Sequence, residues 1–135
     1  MPDYQIGVFP IAKDTNPAKI VLVTSRNGKR WIFPKGNPEK GRSDKEVALE
    51  EGYEEAGILG SITSPYTEFE VRYGDTKRLR LYRMDIDGFL ADWPERGQRR
   101  RLVVTVEEAA KLLERDLRSC LKKLAALHLS PKPER

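Results

Sequence analysis

The sequence predicts an α/β fold in which a mixed β-sheet lies between helices. Short apolar runs suited to strands come both before and after one central helical segment, and more helix closes the chain. The central segment opens on a capping box, Ser43 with Glu46, and closes at Gly57. A chain of 135 residues suits one domain. It is expected over residues 1–129, with a frayed tail at Ser130–Arg135 that carries two prolines.

Tyr4–Pro10 and Ile20–Thr24 read as strands, separated by the polar turn 13–17. Asn27-Gly28 is a strong hairpin dipeptide, and it leads to a brief strand, Trp31-Ile32-Phe33, that ends at Pro34. Lys35-Gly36 opens a loop into the central helix. There Leu49, Gly52, Tyr53 and Ala56 are expected to form the packing face, roughly opposite the acids. Gly52 costs about 1 kcal/mol against alanine in a helix interior, which a close helix-to-sheet approach would explain. Thr67–Tyr73 and Arg78–Asp87 read as antiparallel strands around the turn Gly74-Asp75, with Leu79 and Leu81 alternating with polar neighbours. After a loop at 92–97 come a strand at Arg101–Val104 and a second capping box, Thr105 with Glu108. That helix is expected to run to about Leu113, and Asp116 to cap a further one ending near Leu127.

Composition excludes several classes of function. With 39% hydrophobic and 34% charged residues there is material for a modest core, and no run approaches the roughly 18 apolar residues of a membrane span. The start MPDYQIG has no basic segment followed by an apolar run, so a cytoplasmic location is expected. Cys120 is the sole cysteine and excludes an intrachain disulfide; with leucines at 113, 117, 121 and 124 around it, it reads as a core thiol. The net charge of +4 is unevenly laid out, with acids at 44–55 and bases at Lys77–Arg83, Arg96–Arg101 and Lys122–Lys123. A polyanionic small molecule fits this layout. RNA is the less favoured partner, because Tyr82 is the one aromatic within those basic runs and stacking needs more.

The chemistry concentrates in GNPEKGRSDKEVALEEGYEEAGI, residues 36–58. Glu51, Glu54 and Glu55 stand at i, i+3 and i+4, on one side of a helix. Like charges this close repel, and a hard divalent cation such as Mg²⁺ takes oxygen ligands and cancels the repulsion.

This stretch resembles the Nudix hydrolase signature: a glycine, five residues, Glu, seven residues, Arg-Glu, an aliphatic, any residue, Glu-Glu, any residue, Gly and an aliphatic. The register fits at Gly36, Glu51, Glu54, Glu55, Gly57 and Ile58, and departs at Arg42, Glu50 and Gly52. Where the family has Glu and Arg, this chain has Arg42 and Glu50, which suggests an ion pair with its signs exchanged. Val21–Gly36 and the later WPERGQRRR look like the diphosphoinositol and diadenosine polyphosphate hydrolase branch.

The resemblance implies the family's α/β/α sandwich and Mg²⁺-dependent (alternatively Mn²⁺-dependent) hydrolysis of a pyrophosphate bond by water. It implies that Glu51, Glu54 and Glu55 are the catalytic acids and hold the metal, with the carbonyl of Gly36 as a further ligand. The branch implies phosphate binding by Arg26, Arg30 and Lys35, with Arg78 and Arg80 the next candidates; arginine's planar fork suits phosphate. One of the helix acids or a loop carboxylate would act as the base, Glu95 being a geographic candidate; Trp31 could stack on a nucleobase or sit in the core, and His128 is assigned no role. The substrate class is a nucleoside polyphosphate or a diphosphoinositol polyphosphate. Removal of pyrophosphate from RNA 5′ ends and a non-catalytic binding module are the alternatives, and monomer and homodimer both stay open.

Overall fold

The computed structural model describes residues 3–73 and 76–129. The expected turn at Gly74-Asp75 and the expected tail at Ser130–Arg135 lie outside them. In chain order come β1 (Tyr4–Ala12), β2 (Lys19–Thr24), β3 (Trp31–Ile32), β4 (Lys35–Gly36) and α1 (Asp44–Ala56). They are followed by β5 (Ile58–Ile62), β6 (Thr67–Tyr73), β7 (Thr76–Phe89), β8 (Arg101–Thr105), α2 (Val106–Leu112) and α3 (Arg115–His128).

The strands form a mixed sheet. β1 and β7 run parallel, Tyr4 beside Arg78 and Ile11 beside Asp85, and the other pairings among the described residues are antiparallel. Ile6–Ile11 of β1 are buried without alternation, the mark of a strand covered on both faces. On one face Met84, in register with Pro10, approaches Gly52 of α1. On the other, Phe9 packs on the ring of His128 at the end of α3, 6.3 Å between centroids. The sheet therefore lies between helices, as expected. Cys120 is buried in α3 with Leu117, Leu121 and Leu124, and no helix among the described residues is long and apolar enough to cross a membrane.

Both capping boxes form. Ser43 Oγ accepts from Glu46 N at 3.1 Å while Glu46 Oε1 accepts from Ser43 N at 2.8 Å, and Thr105 and Glu108 repeat the arrangement. Four local expectations need correction. Lys35-Gly36, expected to open a loop, forms β4, paired with Gly7 and Ile6 of β1. The cap of α3 is Glu114 rather than Asp116; the Asp116 carboxylate instead accepts from Arg72 N at 2.6 Å and ties α3 to β6. The buried face of α1 is Val47, Ala48, Gly52, Glu55 and Ala56, whereas Tyr53 is 40% exposed. An acid belongs to the inner face because polar partners wait for it there. Finally, β5 is a strand the sequence reading does not anticipate. Gly60 weakens its pattern, yet the pairing requires that glycine: a Cβ there would lie 2.1 Å from the carbonyl oxygen of Asp85 on β7.

Candidate active site

The acids of α1 gather in a cleft of about 600 Å³ between β1, β4, the end of α1 and the 90–100 segment. The 90–100 segment is what closes the helix end. Gly57 takes the left-handed conformation, φ 63°, and its N–H donates to Tyr53 O at 3.0 Å. α1 has no basic residue in its last turn, and Arg101 takes that place: Nη1 donates to the carbonyls of Ala56 and Leu90, both at 3.0 Å. Trp93 Nε1 donates to Glu55 O at 3.1 Å and Glu95 N to Glu54 O at 2.9 Å. The Trp93 ring lies so close over Gly57 that a Cβ there would come within 2.6 Å of it. Satisfying these orphan carbonyls brings Glu95 and Arg99 beside the helix acids.

Glu55 is buried, 4% exposed. Its Oε1 accepts from Lys35 N at 3.2 Å and its Oε2 lies 3.3 Å from Arg99 Nη2. Burial pushes the Glu55 carboxyl up, and Arg99 opposes that. Glu51 shares a hydrogen bond with Glu55, and burial, then Glu55, Glu54 and Glu95, push it up to about 8. Its carboxylate fills the space a side chain at position 36 would need: a Cβ on Gly36 would lie 2.4 Å from Glu51 Cδ. Glu54 is also raised, by burial and then by Glu50 and Glu95. Among the described residues no three acidic, histidine or cysteine side chains form a ready-made metal cage.

Of the basic candidates, Arg26 and Lys35 line the cleft. Lys35 Nζ donates to Gln5 Oε1 at 2.6 Å, and burial lowers its pKa to about 8 against the pull of Glu55. The cleft lining does not include Arg30, Arg78 or Arg80. Arg30 stands near enough to repel the Lys35 ammonium, with its Nη1 3.3 Å from Glu114. Arg78 bonds Asp3 and Glu68. Arg80 bonds Glu68 at 2.8 Å and Asp44 at 3.2 Å, over the rings of Tyr4 and Tyr66. Their carboxylate partners hold both on β7, away from the cleft. Arg42 Nη2 sits 2.7 Å from Glu50 Oε2, an ion pair at the loop-to-helix junction. Trp31 is part-buried under Arg100, 5.2 Å from ring centroid to guanidinium.

Arg99 is the residue that sequence reasoning missed. It lies in the run Arg99-Arg100-Arg101, where identical side chains do three separate things: one enters the cleft, one covers Trp31, one caps α1. Arg99 and Arg100 precede β8, so no strand alternation marked which of the three arginines enters the cleft.

Residues 1–124 match the family model described as the NUDIX domain, and the chain belongs to the Nudix family. Its relatives include Nudix hydrolase 4 of Arabidopsis thaliana, 28% identical over 75% of this chain and 50% of the relative. Human diphosphoinositol polyphosphate phosphohydrolase 3-alpha is 31% identical over 70% of this chain and 59% of the relative. The chain thus spans between half and three-fifths of these relatives' lengths. Among solved structures, the fold is similar to the C. elegans Ap4A hydrolase, with a TM-score of 0.76 at 19% identity over 96% of this chain and 100% of that one.

Proposed function

We propose that this chain hydrolyses a pyrophosphate bond in a nucleoside polyphosphate or a diphosphoinositol polyphosphate, with Mg²⁺, or Mn²⁺ in its place, as cofactor. The observation that carries this reading is the meeting of Glu51, Glu54, Glu55 and Glu95 in one cleft with Lys35 and Arg26. The relatives named above as hydrolases of such compounds support it.

The residues fit a hard divalent cation. The donors are all oxygens, Glu51 is pushed up by burial and by the crowding of Glu55, Glu54 and Glu95, which a cation would offset, and Gly36 leaves Glu51 room beside the backbone. Glu51, Glu54, Glu55 and the Gly36 carbonyl would hold it. When bound, such an ion offsets phosphoryl charge and lowers the pKa of a coordinated water. The chain's own groups do the rest. Arg26 and Lys35 bind the polyphosphate and align the scissile bond. Either one of the α1 acids or Glu95, held against the helix end through its own N–H, would take the proton from the attacking water. Lys35, deprived of solvent, presents an ammonium whose charge is little screened.

The test is Mg²⁺-dependent turnover across diadenosine polyphosphates, diphosphoinositol phosphates, nucleoside triphosphates, ADP-ribose and 5′-triphosphate RNA, with Glu55→Gln as control. Turnover that the substitution abolishes supports the reading and names the substrate class. Binding without turnover in saturating Mg²⁺ would instead indicate a ligand-binding module.

A further inference from the structure

Arg99 spends separate donors on three elements. Nε pairs with Glu95 Oε1 at 2.7 Å, Nη2 with Glu55 Oε2 at 3.3 Å, and Nη1 donates to Thr24 O of β2 at 3.0 Å. The residue is 9% exposed. A buried guanidinium is costly unless its donors are met, and here both carboxylates it meets belong to the cleft.

We propose that Arg99 is the positioning residue of this cleft, its rigid fork fixing Glu55 of α1 and Glu95 of the 90–100 segment at a set separation, with β2 as anchor. The inference rests on the hydrolase reading above. A plain staple between segment and helix would be redundant. Trp93 to Glu55 O, Glu95 N to Glu54 O and Arg101 to Ala56 O already fix the path of the chain through main-chain atoms. What Arg99 adds is the orientation of side-chain oxygens. Two carboxylates from different elements would otherwise repel and turn apart; a planar fork holds both at defined angles, where an ammonium would supply only charge. Outer partners that orient metal-binding carboxylates typically govern affinity and rate about 10- to 100-fold.

The experiment compares full-length wild type with Arg99→Lys and Arg99→Gln. It reads kcat and KM for the best substrate in saturating Mg²⁺, Mn²⁺ affinity by electron paramagnetic resonance without substrate, and thermal midpoint. Arg99→Lys keeps the charge and the apolar stem, so it guards against simple loss of folding. The expected result for it is kcat down about 10- to 100-fold and Mn²⁺ affinity down about 10-fold, with KM nearly unchanged. Unchanged kcat and Mn²⁺ affinity beside a lowered midpoint would overturn the proposal and leave a staple. A raised KM at unchanged kcat would overturn it too, making Arg99 a substrate ligand. If wild type binds Mn²⁺ but turns nothing over, the hydrolase reading fails, and weaker Mn²⁺ binding in Arg99→Lys still supports the positioning role.

Discussion

Arg42 and Glu50 form an ion pair, 2.7 Å between Nη2 and Oε2, at the two positions where this chain exchanges the signs of the Nudix signature. Arg42 also lies 3.6 Å from Glu39, and its hydrogen bond holds the Glu50 carboxyl below the usual range. Position 42 therefore sits in an acidic surround. Arg42→Glu alone is expected to lower the thermal midpoint and the turnover. Combined with Glu50→Arg it should recover part of both. A double variant no better than either single one would show that the contact contributes nothing.

Gly36 tests the geometry of the cleft more sharply. A methyl group at position 36 would press on the Glu51 carboxylate, at 2.4 Å from Cδ. The carboxylate is the free end of a flexible side chain, so it moves and the backbone need not. Gly36→Ala should thus leave the thermal midpoint close to wild type while kcat falls on the order of 100-fold, the usual result of a misplacement near 1 Å. Equal losses of stability and activity would show instead that the β4 backbone had shifted.

Gly52 behaves in the opposite way. A Cβ there would meet Ile58 Cγ1 at 3.4 Å and Met84 Sδ at 3.5 Å, ordinary contact distances. The helix thus leaves room for one methyl, and the close approach that would have explained the glycine is looser than that. Gly52→Ala is expected to stabilise by up to about 1 kcal/mol through helix propensity, seen as a higher denaturant midpoint at unchanged slope. Gly52→Leu should destabilise, because the larger side chain has nowhere to go.

Local rules carried much of this fold. Capping at Ser43 and Thr105, the stop at Gly57 and the cluster of acids on α1 depend on residues within a few positions of each other, and all were legible. Two things were not. The inward turn of Glu55 depends on Arg99, forty-four positions away by the arithmetic 99 − 55. The placement of Arg78 and Arg80 depends on Asp3, Glu68 and Asp44, which come near only when the strands pair and α1 packs on the sheet. Long-range pairs of opposite charge leave no periodicity to read. The resemblance placed the acids of the cleft, while the cation that orients them had to come from the geometry.

Cys120 provides a pH signature remote from the cleft. Burial, and then the charge of Asp116, push its thiol from an ordinary 9.0 up to about 12. The unfolded chain gives up that proton first, so between those values the native state binds more protons and stability falls as pH rises. Below the lower value the contribution is fully present. The urea midpoint of wild type should therefore drop more steeply across this alkaline window than that of Cys120→Ala, which has no thiol to ionise. Parallel curves would mean that the thiol is solvated in the native state. In the native protein near neutrality the same burial should leave Cys120 unreactive to alkylating agents until denaturant is added.

Glu51 should reveal the conflict between stability and function most directly. Without a cation it faces Glu54, Glu55 and Glu95 in a partly buried site, an arrangement that weakens the folded state. Burial and these neighbours push its carboxyl from 4.5 up to about 8, so between those values folding must take up a proton and stability falls as pH rises. Glu51→Gln keeps the shape without that cost, and near neutrality the metal-free variant should unfold at a higher temperature than metal-free wild type. Mg²⁺ should raise the wild-type midpoint in a saturable way, because a ligand bound by the native state alone stabilises by RT ln(1 + [L]/Kd), and EDTA should reverse the rise. In Glu51→Gln that rise should shrink or vanish together with turnover. If both proteins gained equally from Mg²⁺, the ion would be bound elsewhere; if the variant were less stable without metal, the acids of α1 would be held by hydrogen bonds strong enough to outweigh their repulsion.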